Sequence, residues 1–162
     1  MKRVVVIFLC VFLLIIDNTL LPFFQIKGYS PSVLFIFLIF YSINTDYVEA
    51  LKVSIFAGLL QDIFFSQLVG LSPLANMITC VAAVAIGENI FKEKRLIPVG
   101  ALFALSIVRG LFIFAILYAA GMKTDFQVAF YNSIYNMVLS VLLYRPIYKL
   151  LQVPFMKKQW KF

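Results

Sequence analysis

Apolar residues run along the chain in six stretches, and most polar residues gather in the short segments between them. A membrane-spanning helix needs roughly 20 predominantly apolar residues, so each stretch is read as a candidate span. The first follows Met1-Lys2-Arg3, runs from Val4 to Ile16, and resumes after Asp17-Asn18 as far as Phe24. A basic start before an apolar run has the outline of a secretory signal, but no small-residue cleavage site follows. Residues 4–24 are therefore read as an uncleaved span. Residues 28–45 carry no charge, and a second span is expected at about 30–44. It would open at Ser30-Pro31, where a proline suits the first helical turn. A third is expected at about 51–65. Ile63 to Gly87 is again free of charge and too long for one span. Ser66-Gln67 and Gly70-Leu71-Ser72-Pro73 supply turn chemistry there, which places the fourth span at about 74–91. Lys92-Glu93-Lys94-Arg95 reads as a loop. The fifth span covers about 96–120, Gly121-Met122-Lys123-Thr124-Asp125 a turn, and the sixth about 126–144, before a basic tail over 145–162.

Composition agrees with this pattern. Of 162 residues, 64% are apolar and 13% charged, with a mean hydropathy of +1.02. Soluble domains have about 45–50% apolar and about 25% charged residues, and disordered chains combine low hydrophobicity with high net charge. Both classes are excluded. The expected fold is an all-α membrane protein, a six-transmembrane-helix bundle forming a single integral membrane domain.

The net charge of +7 takes its meaning from where the charges fall. With the N-terminus inside, the cytoplasmic segments hold Lys2, Arg3, Lys52, Lys92, Lys94, Arg95, Arg145, Lys149, Lys157, Lys158 and Lys161, eleven in all, against Lys27 and Lys123 outside. That bias follows the positive-inside rule. It favours six spans with both termini cytoplasmic. The tail interleaves Phe155, Trp160 and Phe162 with its lysines, which suits an anionic leaflet better than nucleic acid; merely fixing topology is the other reading. There is no histidine, so the commonest metal ligand and proton carrier is missing. Cys10 and Cys80 lie far apart inside apolar runs and form no C-x-x-C pair. No phosphate-binding loop and no nucleophile elbow occurs. Neither an enzyme, a metal site nor a cofactor is expected.

Ionisable residues inside spans are costly and become functional candidates by default. At about 1.5 Å per residue, Asp17 and Arg109 each lie roughly 20 Å above the cytoplasmic ends of their spans, and Asp62 roughly 16 Å. Asn132 lies roughly 21 Å up in a hydrocarbon core of about 30 Å. Four groups from four helices thus share one level, and they are expected to converge, with Arg109 paired to Asp62 or Asp17. Asn132, Asn136, Ser140 and Tyr144 recur at i, i+4 and face one side of span six. Two readings stand: an ion-pair network that fixes helix packing, or a polar pocket opening outward. On span four, Ala75, Thr79, Ala83 and Gly87 form a small-residue ridge for close helix approach, as do the pairs Ser54/Gly58 and Ser106/Gly110. Such ridges serve either internal packing or docking of another membrane protein.

Gly58-Leu59-Leu60-Gln61-Asp62, followed by Gly70-Leu71-Ser72-Pro73-Leu74, resembles the most recognisable stretch of the MreD family of bacterial rod-shape-determining proteins. There a Gly-Leu-Leu-x-Asp segment ends one span and a short Gly-containing turn begins the next. Pro31, the length, the basic N-terminus and the basic tail are similar too. The resemblance implies a non-catalytic scaffold subunit of the peptidoglycan-elongation machine. Its partner would be an MreC-like bitopic protein, and through it MreB filaments, a RodA-type glycosyltransferase and a penicillin-binding protein. Gly58 and Asp62 fall on the family motif. The partner's transmembrane helix would lie along the small-residue or polar-stripe surfaces. The fold implied is similar to the substrate-binding subunits of energy-coupling-factor transporters, and a vitamin-binding subunit of that kind is the alternative function. Those subunits present an Ala-x-x-x-Ala motif on span one, whereas the first alanine here is Ala50.

Overall fold

A computed structural model describes residues 2–24, 31–65, 70–89 and 96–152. The expected loops at 25–30 and 92–95, the turn around Ser66-Gln67 and the tail beyond residue 152 lie outside the described residues. Within them the chain is all-helical. Six α-helices are α1 (Lys2–Thr19), α2 (Val33–Ile43), α3 (Tyr47–Phe65), α4 (Leu71–Asn89), α5 (Leu96–Ala119) and α6 (Phe126–Leu151), with a 3₁₀ turn at Leu21–Phe24 after α1. Three of them, α4, α5 and α6, are long and apolar enough to cross a membrane on length and composition.

Local chemistry sets the helix ends. Asn44 stops α2 by folding its amide back onto the Phe40 carbonyl at 2.8 Å. After α5, Gly121 takes φ +75°, the left-handed conformation that glycine adopts without penalty. Its N–H donates to Tyr118 O and that of Met122 to Leu117 O, the paired bonds of a Schellman end. Pro31 precedes the N-cap Ser32 instead of occupying the first turn of α2, because the helix begins two residues later than the proline suggested. At the other end of the chain, α6 continues seven residues past 144 through Pro146, so the first part of the basic tail is helical.

The bundle is organised around α2. All eleven of its residues are buried, and it packs against α1, α3, α4, α5 and α6. A helix that is apolar on every side needs such surroundings. Eleven residues span only about 16 Å, roughly half of a bilayer's hydrocarbon core. The adjacent pairs α3–α4 and α5–α6 form antiparallel hairpins around it. The small-residue ridge of α4 belongs to this packing: Ala75, Thr79, Ala83 and Gly87 are all buried, and a Cβ on Gly87 would overlap the carbonyl of Ile43 in α2. A Cβ on Gly58 would likewise overlap the backbone of Pro73, and one on Gly110 would crowd Ala129. The ridge and the two small-residue pairs therefore bring backbones together inside the chain. Cys10 and Cys80 are free and buried.

Replacing Gly87 by leucine should destabilise the detergent-solubilised protein by about 2–3 kcal/mol, since the obstruction is backbone and cannot rotate away. Gly100 meets nothing within 4 Å, so Gly100→Ala should leave the melting temperature unchanged or raise it slightly. Equal melting curves for the Gly87→Leu variant and the parent would show that α2 and α4 are not in this contact.

Candidate functional site

The polar groups of the interior meet at the N-terminus of α2. A helix start leaves its first amides without intrahelical partners, and here every one is matched. Asp17 of α1 accepts from Val33 N at 2.9 Å and Leu34 N at 3.2 Å, and from Ser32 Oγ at 2.8 Å. Ser32 Oγ in turn accepts from Phe35 N at 3.2 Å, the usual N-cap bond. Ser32's own amide donates to Asn136 Oδ1 of α6 at 2.9 Å. The carboxylate also sits at the positive end of the helix dipole, where negative charge is favoured.

From Ser32 the network reaches the remaining helices. Gln61 Nε2 of α3 donates to Ser32 Oγ at 3.3 Å. Gln61 Oε1 accepts from Asn76 Nδ2 of α4 at 3.0 Å and from a terminal nitrogen of Arg109 on α5 at 3.2 Å. Asn136 Nδ2 lies 3.5 Å from Ser106 Oγ. One hydrogen-bonded cluster thus joins all six helices. Asp17, Gln61, Asn76, Ser106 and Asn136 are all buried.

Asp62 is occupied differently from the expectation. It does not pair with Arg109; its two carboxylate oxygens accept from Gly70 N and from Ser72 N, the latter at 3.1 Å. It caps α4 as Asp17 caps α2. Gly70 takes φ +100°, a conformation suited to glycine, and this turns its amide toward the carboxylate. Gly58, one turn earlier on α3, lets the backbone of Pro73 approach closely enough for this bond. The motif residues Gly58, Asp62 and Gly70 therefore act together to close the α3–α4 hairpin. Asp17 and Asp62 both act on Arg109 through space, but its hydrogen bond goes to Gln61 and its guanidinium carbon lies over the face of Phe35, 4.6 Å from the ring centroid.

The stripe on α6 faces inward. Asn136 binds Ser32, Ser140 is buried, and Tyr144 meets Phe40 of α2 edge-on at 5.8 Å. Asn132, a turn above, instead lines an open cleft of about 360 Å³ between α5 and α6, together with Arg109, Ile113, Phe114, Lys123 and Thr124. Asn132 Oδ1, Arg109 Nε and Thr124 Oγ1 are buried there without a hydrogen-bond partner. Ser32, Gln61 and Asn76 were not singled out from sequence; the available signal was an uncharged polar residue within or bordering an apolar run, the same signal that marked Asn136.

The chain matches the family described as rod shape-determining protein MreD over residues 1–153. No curated protein and no solved structure gives a significant match.

Capping and ion pairing make different demands on Asp62. Asp62→Asn keeps an acceptor for the α4 amides and should cost about 1 kcal/mol, whereas Asp62→Leu should cost at least about 2 kcal/mol. The exchange Asp62→Arg/Arg109→Asp should fold no better than the worse single variant, because arginine has no acceptor to offer. Recovery of monodisperse protein on size exclusion measures both, and rescue by the exchange would establish the ion pair and refute the cap.

Proposed function

The chain belongs to the MreD family of rod shape-determining membrane proteins, and on that premise we propose that it is a non-catalytic scaffold of the bacterial cell-wall elongation complex. In this reading it binds an MreC-like bitopic partner, and through it links MreB filaments to a RodA-type glycosyltransferase and its penicillin-binding protein. The family match across nearly the whole chain carries the proposal. The use of the interior carboxylates supports it: Asp17 and Asp62 hold helix ends by accepting backbone amides, a structural task that leaves them fully engaged.

We further infer six spans in the cytoplasmic membrane with both termini inside. Supporting this are the six helices, the hydropathy of α4, α5 and α6, and the eleven-to-two distribution of basic residues. The α4 ridge and most of the α6 stripe are consumed within the chain, so the partner helix must use outward apolar surface instead. The family match is to rod shape-determining proteins and lends nothing to the vitamin-transporter alternative.

The test is mild-detergent capture of the tagged protein from its native membrane, with mass spectrometry of what accompanies it. An MreC-like bitopic protein and wall-synthesis enzymes should be recovered, and Asp62→Leu should reduce that recovery together with the rescue of rod shape in cells lacking the parent gene. Co-purification of transporter ATPase subunits in their place would overturn the scaffold reading.

A further inference from the structure

The last two turns of α6 run past the end of its apolar stretch and are still helical. Ile147 and Leu151 bury their side chains in the bundle, which fixes how this segment is rotated. Its other face lines an open trough of about 490 Å³ formed by Val141, Tyr144, Arg145, Tyr148 and Lys149. At 3.6 residues per turn the two tyrosines fall on one side of Val141 and the two cations on the other. The aromatic wall is ordered: its rings stack at 5.5 Å, and Tyr144 meets Phe40 of α2 edge-on.

Depth and charge specify what fits the trough. Arg145 follows Phe126, the first residue of α6, by nineteen positions. At about 1.5 Å per residue it lies roughly 28 Å down, at the far edge of a hydrocarbon core of about 30 Å. Lys149 lies roughly 6 Å further, among the headgroups, and Val141 roughly 6 Å back, among acyl chains. Tyrosine suits the boundary between them, since its ring is apolar and its hydroxyl polar. Both cations are exposed, and neither side chain has a hydrogen bond or ion pair among the described residues. The ten residues after 152 add three lysines and no acid. Like charges one turn apart on a helix repel, and an anion held between them reverses that cost.

We propose that this trough binds an anionic phospholipid of the cytoplasmic leaflet, its phosphate between Arg145 and Lys149, its glycerol against Tyr148 and its acyl chains along Val141. The planar guanidinium can donate two parallel hydrogen bonds to phosphate oxygens, and the ammonium adds a second charge. An acidic peptide would match the cations but leave Val141, at acyl-chain depth, without a partner. The choice of leaflet rests on the orientation proposed above; the trough itself does not, nor does it depend on which protein the scaffold binds.

The purified full-length protein, reconstituted with equimolar phosphatidylglycerol and phosphatidylcholine and released for native mass spectrometry, should retain phosphatidylglycerol preferentially. A basic side chain near an anionic surface contributes about fivefold. Arg145→Gln/Lys149→Gln should therefore lower that retention roughly thirtyfold at low salt, and the charge-conserving Arg145→Lys/Lys149→Arg should keep most of it. Melting temperatures in lipid-free detergent should equal the parent's, because neither side chain holds another residue in place. Lys157→Gln/Lys158→Gln/Lys161→Gln removes three charges outside the trough and should cost less retention than the double glutamine variant. Equal retention of the two lipids by the parent, or unchanged retention in that double variant, would overturn the proposal. So would an equal or larger loss in the tail variant, which would assign the preference to the basic tail. Protease access to a C-terminal tag in sealed inverted vesicles reads the orientation separately. A protected tag would overturn the cytoplasmic leaflet and the orientation together, while retention in the mixed-lipid assay would stand.

Discussion

The start of α2 imposes the main constraint on this protein. An eleven-residue helix, buried on every side, presents its first amides to an interior where no solvent can satisfy them, and an unpaired buried amide costs about 1–3 kcal/mol. Asp17 covers two of these amides and the Ser32 hydroxyl, Ser32 covers a third, and Asn136 binds the amide of Ser32 itself. These groups come from α1 and α6, which flank α2, so satisfying one helix end fixes the position of its neighbours. Gln61 then extends the same cluster to α3, α4 and α5. Partly satisfied networks are worse than apolar packing, and the nearly complete accounting here implies a single well-defined arrangement of helices.

The solution occurs twice. Asp17 near the end of α1 caps α2, and Asp62 near the end of α3 caps α4. In both cases a carboxylate from one helix ties down the start of the next. The α3–α4 instance also explains the Gly-Leu-Leu-x-Asp pattern physically: the aspartate supplies the acceptor, and the glycine one turn before it removes the Cβ that would strike Pro73. In the scaffold reading proposed above, such rigidity is an advantage, since a binding surface that is already ordered loses less entropy on association. Committing both acids to helix ends has a further consequence. Arg109 feels both acids only through space, and makes its hydrogen bond to the Gln61 amide with the Phe35 ring beneath it.

Much of this was readable in the chain itself. Hydropathy located the helices because a membrane segment must be apolar for about 20 residues, and the charge-free runs with Gly and Pro between them located most turns. The depth argument singled out Asp17, Arg109 and Asn132 because the cost of interior charge depends only on residue type and position along a helix. The recurrence of Ala75, Thr79, Ala83 and Gly87 likewise identified a face for close approach. What the chain could not express was partner choice. Opposite charges at one level suggest an ion pair, but backbone amides carry no letter in the sequence, and it was the amides of α2 and α4 that took the two carboxylates. The seam between α2 and α4, the convergence of Gln61 and Asn76, and the cleft beside Asn132 likewise arise only when helices remote in sequence are set side by side. Helix content, helix order and the cost of each interior charge were determined by the sequence alone; which group relieves each cost was decided by tertiary structure, because hydrogen bonding depends on distance and direction across helices.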